Sequence, residues 1–197
     1  MEARIDATNT RLLTEEEFLA IPEDDAIHRE LIRGELQERP STTRTFADGV
    51  VLCSVSYQLR TWIERQPKPR GFVVAGEALV RLRAHLPTFV GVDVAYIAAE
   101  SKPAGSRKAK YVNGPPVLVV EVLSPTDEHQ DIADKTAEYL DAGVPIVWIV
   151  DPSFSTVTVY RPDAKPQLFN ADQEITAEPH LPGLRFAVAE LFEDLED

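Results

Sequence analysis

Apolar residues recur at three- and four-residue intervals through Phe46, Val51, Leu52, Val55, Leu59, Trp62 and Ile63, a spacing that predicts the main amphipathic helix, ending near position 65. Upstream, Leu13-Thr14-Glu15-Glu16-Glu17-Phe18 sets Thr14 and Glu17 in capping-box spacing with Leu13 and Phe18 as a hydrophobic staple, so a short helix starts at Thr14. Between the two helices RELIRGELQER alternates about Arg33-Gly34, the pattern of a hairpin whose glycine takes a positive φ. The period then changes. Gly71 to Ala75, Glu77 to Arg83 and Phe89 to Ala98 are rich in β-branched and aromatic residues broken by Gly or Pro, and read as strands. Ala99 to Pro116 has no periodicity and reads as a loop returning at Val117. Val117 to Leu123 is apolar on both faces, which puts it in the middle of a sheet. Ser124-Pro125-Thr126 opens a helix to about Asp141, stopped by Gly143 and Pro145. Ile146 to Val150 and the alternating Thr156 to Arg161 flank the turn Asp151-Pro152-Ser153 as a second hairpin. The tail, residues 165 to 197, adds short strands around Gln167 to Phe169 and a terminal helix from Ala187 to Phe192. This succession predicts an α/β fold, a mixed sheet with helices on both sides.

With 197 residues, 44% hydrophobic and 27% charged, the chain has the size and composition of one globular domain. Its unbroken apolar runs, Val117 to Val120 among them, are far too short to span a bilayer, so no membrane partner is expected. The start, MEARIDATNTR, lacks the apolar stretch of a secretion signal, and the lone Cys53 reads as a reduced core residue of the long helix. A cytoplasmic setting is expected. The net charge of −13 argues at first against nucleic acid, whose phosphates need Lys and Arg. Its distribution changes that picture. Residues 1 to 30 carry nine acids and three bases, and residues 171 to 197 eight acids and one base, which leaves the middle neutral. Within it, Lys102, Arg107, Lys108 and Lys110 cluster in SKPAGSRKAK without an acid, either a phosphate-contacting loop or an ordinary solvated one.

Two acids stand where a purely structural pattern would put a hydrophobe: Asp93 inside FVGVDVAYIA and Glu121 inside VLVVEVL. An ionised carboxylate in such surroundings costs several kcal/mol unless a cation or hydrogen bonds offset it. A separate Arg or Lys for each would suffice; a divalent cation shared between neighbouring strands would serve both, and carboxylate oxygens suit Mg²⁺ or Mn²⁺. Leu123 points to the same strand face as Glu121, where a lysine would sit beside the carboxylate. Lys135, on the following helix, is the nearest candidate for that charge, with an exposed pairing to Asp131 four residues earlier as the alternative. There is no G-x-S-x-G elbow, P-loop or G-x-G-x-x-G turn. His28, His85, His129 and His180 have no ligand-like spacing, and Trp62 and Trp148 fall at packing positions.

The runs HRELIRGELQE, VDVAYI, VLVVEVLSPTDEHQDIADKTAEYLDAGVPIVWIVDP and TVTVYR resemble the Uma-type endonucleases of the PD-(D/E)xK superfamily, over roughly residues 14 to 161. The resemblance implies a single domain with a restriction-endonuclease-like core over that span, a C-terminal extension from about 162 to 197, and metal-dependent phosphodiester hydrolysis. Carried over position by position, its motif residues fall on Glu30, Asp93, Glu121 and a displaced lysine, Lys135. Asp93 and Glu121 would hold Mg²⁺ or Mn²⁺, and Lys135 would orient water or stabilise developing charge. Glu30 is left as a second-metal ligand, a base acting through water, or a strand residue facing solvent; Glu35 reads as structural. Three positions depart from the pattern: Val92 replaces the usual proline, Arg33 stands where many members have Asp, and Arg44 and Phe46 occupy a region where a His is often seen. The expected partner is nucleic acid, DNA first, with a homodimer supplying two sites for two strands. The rivals are a non-catalytic binding or assembly module of the same fold and a phosphodiesterase for a small nucleotide; the first is separated by whether Asp93, Glu121 and Lys135 converge on a reachable cleft, the second by a closed pocket in place of an open groove.

Overall fold

The computed structural model describes residues 11–103, 106–125, 127 and 129–195. In chain order its elements are α1 (Glu15–Leu19), β1 (Ile27–Ile32), β2 (Glu35–Pro40), α2 (Phe46–Glu64), β3 (Phe72–Arg83), β4 (Thr88–Ile97), β5 (Val112–Asn113), β6 (Leu118–Val122), α3 (His129–Asp141), β7 (Ile146–Asp151), β8 (Thr156–Tyr160), β9 (Gln167–Asn170), β10 (Glu174–Thr176) and β11 (Arg185–Ala187). Among the described residues β1 to β9 form one sheet ordered β2-β1-β4-β6-β7-β8-β9, with β3 on β4 and β5 on β3. β6 runs parallel to β7 because α3 returns the chain between them, whereas the pairs around them, β4 with β6 and β7 with β8, are antiparallel. The fold is α/β, a large mixed sheet with helices on both faces.

The alternation of the central strands decides which helix each side chain meets. Val94, Val120, Trp148 and Val159 face α2, through Val51, Val55 and Leu59, together with the tail residues Ile175, Leu181, Phe186 and Leu191. Ala95, Val119, Val147 and Ile149 face α3, where Tyr139 is buried. Glu121, two residues beyond Val119, therefore points at α3. That helix is tied down from its far end: Glu138, 7% exposed, accepts from Arg33 Nε at 2.7 Å, from Arg83 Nε at 2.9 Å and from the Thr88 hydroxyl. The arginine that departs from the family's usual aspartate thus clamps the β1–β2 turn onto α3.

Several elements form as their sequence predicts. Thr14 and Glu17 close a capping box on α1, and the hairpin turns at Arg33 and Gly34 with φ of 51° and 87°; beyond those expectations, Thr45 and Asp48 close a second box on α2. Others differ. Gly71 to Ala75 and Glu77 to Arg83 are one strand, β3, carried past a bulge between Ala75 and Ala78. The helix expected from Ser124 is α3, described from His129; Asp127 Oδ2 accepts the Ser124 N–H in a turn ahead of it, and Thr126 and Glu128 lie outside the described residues. The expected terminal helix is a single 3₁₀ turn, Val188–Leu191, after β11, which pairs with β10 in a separate ribbon that the sequence reading missed. Cys53 is exposed, not a core residue, and Phe46 is 78% exposed, since the buried stripe of α2 runs Val51-Val55-Leu59-Trp62. Trp62 and Trp148 pack in the core, Trp62 donating to Pro182 C=O at 2.9 Å. Among the described residues no helix is long and apolar enough to cross a membrane.

Candidate active site

β4 and β6 pair as far as Val94 with Val120, and Asp93 and Glu121 follow directly past that pair on the two strands, both lining one cleft. Asp93, 3% exposed, accepts the Val122 N–H at 2.8 Å and is clasped by the Arg44 guanidinium, Nη1 to Oδ2 at 3.2 Å and Nη2 to Oδ1. Glu121 accepts from the Tyr139 hydroxyl and lies 3.3 Å from Lys135 Nζ. Tyr139 follows Lys135 by one helical turn, so both reach the same point from α3.

Lys135 does not pair with Asp131, its expected alternative. Its ammonium donates to Gly91 C=O at 2.9 Å and stands 3.3 Å from both Glu121 and Glu30. Glu30, buried on β1, also accepts the Gly91 N–H at 3.1 Å. It neither faces solvent nor lines the larger cleft; it holds the lysine from behind. Lys135 thus bridges the two acids, and Asp93 lines the same cleft as Glu121.

A cleft of about 560 Å³ opens over these groups, lined among others by His28, Arg39, Arg44, Glu77, Asp93, Glu121, Asp131, Lys135, Thr136 and Tyr139. A second, of about 230 Å³, adjoins it on the Glu30 side of Lys135. Four lining residues that the sequence does not mark as catalytic candidates stand against the charged centre. Glu77 reaches the cleft because the β3 bulge, with Gly76 at φ 83° and Glu77 itself at φ 59°, turns it across the sheet; it meets the same Arg44 nitrogen as Asp93. A Gly-Glu pair inside a strand pattern is the only signal that pointed to it. His28 lies between two acids, Nδ1 3.8 Å from Glu77 and Nε2 3.5 Å from Glu30, and is no surface histidine. Arg44 and Tyr139 complete the set, and only Tyr139 had a spacing signal. Lys102, Arg107, Lys108 and Lys110 are exposed, and none lines either cleft.

Burial dominates the titration of the pair. It pushes Glu121 up to about 8, against the opposing pull of Lys135, and nearby Asp93 adds to the rise. Burial likewise raises Asp93 to about 6, although the Val122 N–H and Arg44 pull it down. For Glu30 burial is outweighed by Lys135 and His28, which hold it at about 2. Burial works against the Lys135 charge, but Glu121, Glu30 and Glu77 raise its pKa above the ordinary lysine value. The central acids are therefore short of positive charge, whereas the acid behind the lysine is not.

Among the described residues no group of three or more His, Cys, Asp or Glu is arranged to hold a metal ion. Asp93 and Glu121 nevertheless fit a hard divalent cation: both offer carboxylate oxygens, both are held back from ionising, and Mg²⁺ commonly binds through one or two carboxylates while keeping several waters.

Sheet, helices and this cleft define a protein with a restriction-endonuclease-like fold. A family profile described as "Putative restriction endonuclease", Uma2, matches residues 15–189, and the chain belongs to that family. It is similar in structure to a crystal structure described as a putative nuclease belonging to DUF820 from Anabaena variabilis, with a TM-score of 0.76 and 19% identity over 93% of this chain and 99% of that one. No curated protein sequence matches it.

Proposed function

We propose that this protein is a metal-dependent endonuclease that hydrolyses phosphodiester bonds of DNA, with its centre at Asp93, Glu121 and Lys135. The observation that carries the reading is the buried cross-strand pair of carboxylates with a lysine ammonium 3.3 Å from one of them, at the floor of a cleft. Membership of a nuclease family supports the reaction class.

Asp93 and Glu121 would hold the cation, Mg²⁺ or Mn²⁺. When bound, such an ion supplies Lewis-acid activation of water and stabilises the charge of the displacement at phosphorus. The chain's own groups do the rest. Lys135, kept charged by Glu30 and Glu121, presents a fixed ammonium to an attacking water or to a phosphate oxygen, where preorganised charge lowers the barrier. Glu30 is a positioning residue, and Tyr139 fixes the rotamer of Glu121 through its hydroxyl. The bases Lys102, Arg107, Lys108 and Lys110 are exposed, as phosphate contacts outside the cleft require. Two copies of the chain would supply two centres for two strands, and sedimentation would show the dimer.

The test is cleavage of plasmid and single-stranded DNA with Mg²⁺ or Mn²⁺, against chelator and against an Asp93→Asn, Glu121→Gln double variant. Metal-dependent nicking that the double variant loses supports the reading. Equal nicking by both proteins, or none by the wild type on either DNA, overturns it.

A further inference from the structure

The guanidinium of Arg44 sits where a cation belongs. Its Nη2 contacts Asp93 Oδ1 and Glu77 Oε1 at once, so one nitrogen gathers an oxygen from each of two carboxylates on adjacent strands, and Nη1 takes the other Asp93 oxygen at 3.2 Å. Both Asp93 oxygens are thereby engaged, because Oδ2 also accepts the Val122 N–H at 2.8 Å. A divalent ion and this guanidinium cannot occupy the point together, since both need the same oxygens. The surroundings also hold an unspent polar atom. Thr136, 4% exposed and on the lining of the cleft, has no hydrogen-bond partner for Oγ1 among the described residues. Buried polar atoms are ordinarily partnered, and a hydrated ion brings the missing partner.

Resting on the metal-dependent reading above, we propose that Arg44 is a built-in occupant of the divalent-cation position, and that Glu77 joins Asp93 and Glu121 as a ligand once the ion displaces it. Glu77 has the reach because the bulge of β3 turns it into the cleft, and Gly91 makes room: a Cβ there would stand 2.6 Å from Glu77 Oε2. Arg44 lies on the segment between Pro40 and α2, outside any helix or strand, and lines the cleft together with Ser41 and Thr42 of the same segment. The protein then exchanges an internal monovalent cation for an external divalent one, and its metal affinity is set by that competition.

Mn²⁺ titration calorimetry of the full chain tests this, with circular dichroism to check folding. Arg44→Gln is expected to bind Mn²⁺ at least about tenfold more tightly than wild type, and Arg44→Gln/Glu77→Gln at least about tenfold more weakly than Arg44→Gln alone. Arg44→Gln affinity equal to wild type removes the competition; a Glu77 substitution without effect in that background removes the third ligand. Arg44→Gln/Glu121→Gln separates the two levels: if it abolishes binding while Glu77→Gln does nothing, only this inference falls, whereas Mn²⁺ binding that is indifferent to Glu121, Asp93 and Glu77 together overturns the functional reading as well. Should Arg44→Gln fail to fold, the wild type still answers. Mg²⁺ must then shift the Arg44 side-chain ¹⁵N–¹H resonance as its bridge opens, and a resonance unmoved at saturating Mg²⁺ overturns the proposal.

Discussion

Glu30 and Glu121 lie on two sides of one ammonium, 3.3 Å from each, and titrate in opposite directions. Glu121 has its pKa raised from 4.5 to about 8, so the native state keeps a proton that the unfolded chain releases. Its contribution to stability is therefore full below pH 4.5 and is lost as pH rises toward about 8, by an amount on the order of a few kcal/mol. Glu30, lowered to about 2, contributes above pH 4.5 and loses that contribution as pH falls toward about 2. Urea unfolding of chelator-treated protein checks the sign: the stability of wild type relative to Glu121→Gln should decline across pH 4.5 to 8 and level off above. A flat difference would mean that Glu121 is ionised throughout. The same proton must leave before a cation binds, so Mn²⁺ affinity should rise with pH up to about 8 and binding should release protons, seen by calorimetry in buffers of different ionisation enthalpy. Lys135→Met should cost about 3–5 kcal/mol because it leaves Glu30 buried without its cation, and Lys135→Met/Glu30→Gln should recover part of that while cleavage stays at least about tenfold down. Recovered activity in the double variant would show that the lysine only balances charge. From sequence, Asp93 and Glu121 were legible as acids in apolar strands. Glu77, Arg44 and His28 were not, since nothing in their spacing distinguishes them from surface residues.

At the scale of elements, Gly91 on β4 leaves the space that side chains from β3 and β1 fill. A Cβ on residue 91 would stand 2.6 Å from Glu77 Oε2 and 3.1 Å from His28 Cε1, while its N–H and C=O already serve Glu30 and Lys135. Gly91→Ala should therefore cost about 1–3 kcal/mol by crowding, measured as a loss in thermal unfolding, and should lower cleavage as Glu77 and Lys135 shift. Adding Glu77→Ala to it should restore stability without restoring activity; no rescue would locate the clash elsewhere. The Thr14 cap and the Arg33-Gly34 turn were readable because local hydrogen bonds and positive φ fix them. The turn ahead of α3 was not: Ser124-Pro125 has an N-cap pattern, and the Asp127 carboxylate closes a turn around the Ser124 N–H. β10 and β11, three residues each, pair with one another across an eight-residue gap and carry too little alternation to declare themselves.

Over the whole molecule, charge is divided between acidic ends and a neutral middle, and the acidic tail is not loose: Leu181, Phe186, Leu191 and Phe192 pack with α2 on the sheet face opposite the cleft. That keeps much of the negative charge away from a substrate entering over α3. Neutralising Lys102, Arg107, Lys108 and Lys110 together should weaken DNA binding and flatten its salt dependence by up to about one phosphate contact per charge removed. Unchanged affinity and salt slope would mark the segment as an ordinary solvated connection, a real alternative because none of the four lines a cleft. By itself the sequence determined the alternation of strands and helices, the central position of β6 and the two acids embedded in it and in β4, because periodicity and the cost of a buried charge act on each segment separately. Only the tertiary structure decided which groups answer those acids. The pairing of β4 with β6 put Asp93 and Glu121 on neighbouring strands, the docking of α3 brought Lys135 and Tyr139 to them, and a bulge and the segment before α2 delivered Glu77 and Arg44, contacts that depend on distances across the fold.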